Sequence, residues 1–144
     1  MTKIPRSVAS ELSFALHAAA NRMVRLHKPF LEPLGLTFSQ YLVTLELLNG
    51  APLSVGELCT RLDMETGTLT PLLKRLQAAG VLTRTRDPSD ERRVLIDLSM
   101  HSRGMEEELR GIPDKIRVAC QLTADELETL RLTLDGLGRP LADS

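Results

Sequence analysis

Tryptophan is absent and aromatics make up only 3% of the 144 residues, so the interior cannot be built on stacked rings. The apolar share is still 42%, carried by Leu, Val, Ala and Met, which suits packed helices better than a sheet sandwich. Cysteine is equally scarce. Cys59 and Cys120 are too few and too far apart for a disulfide scaffold or a zinc site, and they fit a reducing compartment. His17, His27 and His101 show no metal-ligand spacing, so neither a metal nor a cofactor is expected. No run approaches the roughly 20 apolar residues of a membrane span, and the N-terminus lacks the apolar core of a signal peptide. A cytoplasmic protein without a membrane partner is expected, and its length predicts one domain, residues 1–144. Charge of neither sign dominates: 18 Lys and Arg against 19 Asp and Glu leave a net of −1, so any surface for a polyanion must be local.

Such a local surface lies in Glu65 to Leu98. At about 100° per residue, Leu69, Leu72, Leu73 and Leu76 fall in one apolar stripe, while Thr66, Gly67, Thr70, Pro71, Lys74 and Ala78 take the opposite arc. A purely structural helix would carry long charged side chains on that outer arc. Small residues, here including Thr68, let a backbone come close to a partner, and Thr offers a hydroxyl to phosphate or base edges and a methyl to thymine. Gly80 is placed to end the helix. Two short segments rich in Val, Leu, Ile, Thr and Arg follow, separated by a seven-residue loop, Asp87 to Arg93, that holds Pro88. Arg92 and Arg93 are expected at the loop tip, and Arg84 and Arg86, two apart, share one face of the ribbon. From Thr66 to Arg93 six basic residues (Lys74, Arg75, Arg84, Arg86, Arg92, Arg93) oppose three acidic ones (Asp87, Asp90, Glu91), a local charge of +3. A helix followed by a basic hairpin is the layout of a winged helix-turn-helix, and the charge is the footprint of a DNA-reading surface.

The run Thr66 to Leu76, Gly80, the hairpin and Asp87-Pro-Ser-Asp-Glu-Arg-Arg resemble the recognition helix and wing of MarR-type transcriptional regulators. Leu12-Ser13-Phe14-Ala15-Leu16, Lys28-Pro29-Phe30-Leu31, Pro33-Leu34-Gly35-Leu36-Thr37 and Gln40-Tyr41-Leu42 are similar to the organic-hydroperoxide-sensing OhrR branch of that family. The similarity runs over nearly the whole chain.

In chain order, Val8 to about Phe30 reads as a long helix, with Pro29 and Pro33 stopping it. Thr37 with Gln40, Ser54 with Glu57 and Thr123 with Glu126 are three capping boxes, each opening a helix. The helix after Ser54 supports the recognition helix and carries Cys59 on its apolar stripe, where a small buried hydrophobe is expected. Ser102 to about Cys120 and Thr123 to about Leu137 form the last two helices, the first bent or divided by Pro113. Leu127, Leu130, Leu134 and Leu137 make a stripe that needs cover, and a second subunit is the economical source. The fold class is thus mainly α with a small β-hairpin wing: a winged-helix core over about 37–99, flanked by dimerisation helices over about 1–36 and 100–144.

The resemblance implies a homodimer on a palindromic double-stranded DNA operator, with the recognition helices in successive major grooves and the wings in the flanking minor grooves. Arg92 is assigned to the minor groove with Asp90 as its local partner, and Arg84, Arg86 and Arg93 to phosphates. The resemblance also implies a reactive cysteine where this chain has Ser13, hydrogen-bonded by tyrosines where it has His27 and Phe38; His17 stands at another tyrosine position. A serine hydroxyl forms neither a sulfenic acid nor a disulfide. Either the cysteine has been replaced deliberately, which Cys120 near the usual resolving position favours, or the pocket has been repurposed, which the changed tyrosines favour. In the second case Ser13, His17, His27 and Tyr41 line an inter-subunit pocket for a small-molecule effector or oxidant. Ser13 and His17 lack any acid, elbow glycine or oxyanion motif, so no hydrolase is expected. The function read from the sequence is a DNA-binding repressor. The alternative from another class is a winged-helix interaction module without DNA binding.

Overall fold

The computed structural model describes residues 8–140, which divide after Arg110 into two compact units. Within the first unit a 3-10 turn at Val8–Ser10 precedes α1, Leu12–Leu31. The helix therefore starts later than its periodicity suggested, and Pro29 lies inside it rather than stopping it. A proline in the last turn forfeits only one internal hydrogen bond, and the chain turns away only after a 3-10 turn, Glu32–Leu34, closed by left-handed Gly35 at φ +69°.

Thr37 and Gln40 form the full capping box that starts α2, Phe38–Asn49: Gln40 N–H donates to Thr37 Oγ1 at 3.3 Å and Thr37 N–H to Gln40 Oε1 at 3.0 Å. The far end of α2 is completed from another helix. Arg110 donates to the Leu48 carbonyl at 2.9 Å and to Asn49 Oδ1 at 3.0 Å, taking up acceptors that the last helical turn leaves without internal partners. Ser54 opens α3, Val55–Leu62, with half a capping box. Its hydroxyl accepts from Glu57 N–H at 3.1 Å, but the Glu57 carboxylate is drawn away to Arg93.

A left-handed Asp63, φ +53°, turns the chain into α4, Thr66–Ala78, whose Leu69, Leu72, Leu73 and Leu76 are all buried. Each fully buried Leu contributes roughly 1.5–3 kcal/mol, which fixes the rotation of α4 about its axis and holds the opposite arc outward. A Schellman motif ends it, with Gly80 N–H on the Gln77 carbonyl at 3.0 Å and Val81 N–H on the Leu76 carbonyl at 2.9 Å. Strands β2, Leu82–Asp87, and β3, Asp90–Leu98, pair antiparallel. A two-residue strand that the sequence reading missed, β1 at Leu53–Ser54, adds to the other side of β3, so the sheet has three strands in the order β1-β3-β2.

The expected Ser102-to-Cys120 helix is divided at Gly104 and Met105, not at Pro113. It consists of α5, Met100–Arg103, and α6, Glu106–Ala119, with Pro113 inside α6. The reason is anchoring: Ser99 caps α5, and the buried Ser102 hydroxyl donates to the Val81 carbonyl, so α5 is pinned to the turn after α4 and the chain must bend again. The second unit holds the remainder of α6, with Ile112 and Ile116 buried, and α7, Ala124–Gly136, opened by the reciprocal Thr123–Glu126 box. Leu130 and Leu134 on α7 and Leu137 just beyond it are about half exposed.

No atom lies within 4 Å of a side chain added at Gly80, so Gly80→Ala meets no clash and pays only for its left-handed backbone, φ +76°. We expect a loss of about 1–2 kcal/mol in urea unfolding. Gly67→Ala, at an equally open but helical position, should be neutral or stabilising. Equal effects at the two sites would contradict the turn described.

Candidate nucleic-acid interface

Burial of the leucine stripe leaves Thr66, Gly67, Thr68, Pro71, Lys74, Arg75 and Ala78 exposed on α4, with Thr70 half-buried. This face is small near the N-terminus and basic one turn later. The Thr66 hydroxyl lies 3.7 Å from Cys59 Sγ, and Cys59 itself is half-buried rather than the fully enclosed hydrophobe expected. The end of α3 beside the α4 N-terminus is too open to enclose it.

Against α4 packs β2, and the ribbon it forms with β3 differs from the expected one at its tip. The seven-residue loop is replaced by a turn of Pro88 and Ser89 alone. Asp87 closes it, its Oδ1 accepting from Ser89 N–H at 2.9 Å and from the Ser89 hydroxyl at 2.6 Å. Arg92 and Arg93 consequently belong to β3, not to a loop tip. Asp87 pairs with Asp90 and Arg86 with Val94, so Glu91, Arg92 and Arg93 are pushed out as a bulge against one step of β2.

The bulge presents its two guanidiniums differently. Arg92 is the more open, its side chain 92% exposed, and it is held by Asp90, whose Oδ1 accepts from Arg92 Nε at 3.3 Å and from its backbone N–H at 3.1 Å. Arg93 turns toward the body, with Nη2 on Glu57 Oε1 at 2.7 Å and Nη1 3.9 Å from Asp87 Oδ2. Arg86 is exposed and donates to the Glu91 carbonyl at 2.7 Å, which satisfies part of the bulged backbone, and Arg84 is half-buried two residues earlier. The Ser89 hydroxyl, the Ser89 N–H and then Arg93 hold the Asp87 carboxyl below the usual carboxylate range. The three-residue extrusion and the Glu57 partner were missed from sequence; the Asp-Pro-Ser run was the available signal for a tight Asp-capped turn.

Of the residues assigned to sensing, the structure brings three together. His27 is buried, with its ring 4.8 Å from that of Phe38 and 5.5 Å from that of Tyr41, and its Nδ1 lies 2.7 Å from the Met23 carbonyl. Burial pushes the Tyr41 hydroxyl pKa up. Beside this cluster, Val24, Arg25, Lys28, Leu31, Leu36 and Phe38 are among the residues lining a cavity of about 440 Å³. Ser13 and His17 lie elsewhere, exposed on the first half of α1, His17 paired with Asn21 at 3.2 Å. Fourteen residues of helix put Ser13 about 21 Å from His27 along α1, so the two do not meet within one chain. Cys120 belongs to the second unit and is half-buried. Among the described residues no cluster of His, Cys, Asp and Glu could hold a metal ion, and no helix is long and apolar enough to cross a membrane.

Residues 34–93 match the model of the MarR family. The chain is 42% identical over 126 residues to the HTH-type transcriptional regulator TtmR of Methylorubrum extorquens, a match that covers 88% of this chain and 65% of that protein. It is 35% identical over 125 residues to the organic hydroperoxide resistance transcriptional regulator of Bacillus subtilis, covering 87% and 85% of the two chains. Among solved structures, that of a mutant MarR from E. coli complexed with operator DNA superposes with a TM-score of 0.77 at 29% identity, covering 89% of this chain and 94% of that one.

Because the Asp87 carboxyl ionises more readily when folded than when unfolded, its stabilisation of the turn is complete above the ordinary carboxylate value of about 3.9 and is withdrawn as pH falls through the lower folded value. The wing tip should therefore stay closed at neutral pH and open only in acid. A carbon-detected NMR titration of Asp87, with the Ser89 amide followed in parallel, is expected to give one shared midpoint below about 3.9. A midpoint at or above that value contradicts the assigned hydrogen bonds.

Proposed function

The chain belongs to the MarR family of winged-helix transcriptional regulators, and from that premise we propose that it is a dimeric repressor that binds a palindromic double-stranded DNA operator and leaves it when an effector binds. The observation that carries the reading is the pairing of a small, open α4 face with a ribbon whose Arg92 is almost wholly exposed yet aimed by Asp90. Thr66, Gly67, Thr68, Thr70 and Pro71 make the close approach to the major groove, Lys74 and Arg75 meet its flanking phosphates, and Arg92 enters the minor groove beside Asp90. Arg84 and Arg86 neutralise phosphates along the ribbon. Similarity to a regulator solved on operator DNA supports this use of the fold.

A second copy of the chain covers the apolar residues left open on α1 and α7, among them Leu12, which is 65% exposed, and Leu130 and Leu134. The dimer also accounts for the sensing residues. Ser13 and His17 are too far along α1 to reach their own chain's His27, Phe38 and Tyr41, but the partner's cluster is free to receive them. With a hydroxyl at position 13, the effector is bound rather than reacted. The cavity beside Phe38, lined by apolar Val24, Leu31 and Leu36 together with Arg25 and a Lys28–Glu32 pair at 3.9 Å, suits a small, largely apolar molecule. Cys120 has no sulfenic acid to resolve.

Three outcomes test the reading. In mobility-shift or anisotropy titrations on the protein's own upstream intergenic DNA, Arg92→Ala should weaken binding by about 1–3 kcal/mol, and Lys74→Ala by less. Parent-like binding by Arg92→Ala removes the minor-groove assignment, and no binding by the parent favours the interaction-module alternative. Sedimentation should find a dimer at micromolar concentration, and a folded monomer would sink that part. Organic hydroperoxide should leave the protein on its operator, whereas rapid release with oxidation mapped to Cys59 or Cys120 by mass spectrometry would move the sensor to that thiol.

A further inference from the structure

Glu57 and Arg93 sit on different elements, 36 residues apart in sequence, and form the shorter of the two ion pairs that Arg93 makes, 2.7 Å from Nη2 to Oε1 against 3.9 Å to Asp87. Both side chains are a little under half exposed, so the pair is open to exchange with solvent and ions. Together with Ser54, Gly56, Thr60 and Arg61 they line an open basin of about 460 Å³ where α3 begins. The second guanidinium of the basin, Arg61, is likewise held by a carboxylate, Glu46, at 3.1 Å. A carboxylate and a phosphate diester are rival acceptors for the same planar fork of N–H donors.

We propose that Glu57 is an internal competitor for Arg93, occupying its guanidinium until a DNA backbone phosphate displaces it, so that this pair lowers and tunes the affinity of the DNA-binding surface. The inference rests on the DNA-binding reading above. It separates Arg93 from Arg92, whose carboxylate partner lies two residues away on the same strand and leaves the guanidinium projecting. Glu57 instead comes from α3 and holds Arg93 against the protein. An exposed pair of this kind is weak and screened by salt, which suits a restraint that must yield at each binding event.

Glu57→Gln keeps the size of the side chain and the backbone N–H that the Ser54 hydroxyl caps at the start of α3, and it removes the competing charge. Anisotropy titrations of a duplex from the upstream intergenic region, run over a series of salt concentrations, should show Glu57→Gln binding about two- to fivefold more tightly than the parent at low salt. Arg93→Gln should bind more weakly and lower the slope of log affinity against log salt by about 0.9, the loss of one phosphate contact. In the Arg93→Gln background the gain from Glu57→Gln should vanish. If Glu57→Gln weakens binding, the pair is a strut for the wing and the inference fails. If the gain persists undiminished without Arg93, it is only the removal of a negative charge near DNA, and the inference fails again. A parent that binds no duplex at low salt sinks the DNA-binding reading and this inference with it.

Discussion

The backbone turn at Gly80 and Val81 is the constraint on which the geometry of the molecule depends. Its glycine supplies the left-handed step that stops α4, and the two residues then hand their carbonyls to the segment that follows β3. The Gly80 carbonyl accepts from the Ser99 hydroxyl at 2.6 Å, and the Val81 carbonyl accepts from Ser99 N–H at 3.0 Å and from the Ser102 hydroxyl. Both lone pairs of the buried Val81 carbonyl are thereby used, and leaving that carbonyl without any partner would cost about 1–3 kcal/mol. Helix α4, the ribbon and α5 thus share one junction. The direction in which the ribbon leaves α4 is set there, and with it the relation between the small helical face and the exposed arginines.

Around that junction the cations are graded by what holds them. Lys74 and Arg75 stand in solvent on α4, Arg92 is aimed by a neighbour on its own strand, Arg86 is steadied by one hydrogen bond to a backbone carbonyl, and Arg93 is folded back onto a helix. A sequence-level charge of +3 over this segment therefore overstates what is free to meet a polyanion. The difference lies in Glu57, an acid from outside the segment that holds Arg93.

The sequence made legible whatever is decided within a few residues. The Thr37–Gln40 and Thr123–Glu126 boxes, the α4 leucine stripe and the glycine that ends it are local rules, and the structure follows them. Ser54–Glu57 obeys the same local rule by half, because Arg93 offered the carboxylate a charge that a backbone N–H could not match. The division at Gly104 was hidden for a related reason: the partner of Ser102 lies 21 residues earlier, so Pro113 looked like the stronger breaker. The seven-residue loop was misjudged because Asp87 can close the chain on Ser89, which turns loop residues into strand and bulge. His27 meeting Phe38 and Tyr41 is a packing event between α1 and α2 that no periodicity announces, and Ser13 lies apart from it, exposed on the first half of α1.

The bulge on β3 has a consequence for the life of the protein at high concentration. β3 is the central strand, so β2 and the uncovered part of β3 beyond its short pairing with β1 are open edges of the kind that recruit a strand from another molecule. Here that recruitment is frustrated. The extruded residues break the regular spacing of donors and acceptors, Arg86 and Asp90 occupy backbone groups that an intruding strand would need, and arginines crowd the edge with like charge. The irregularity that sets the arginines outward therefore also blunts the open edge of β3 against an incoming strand.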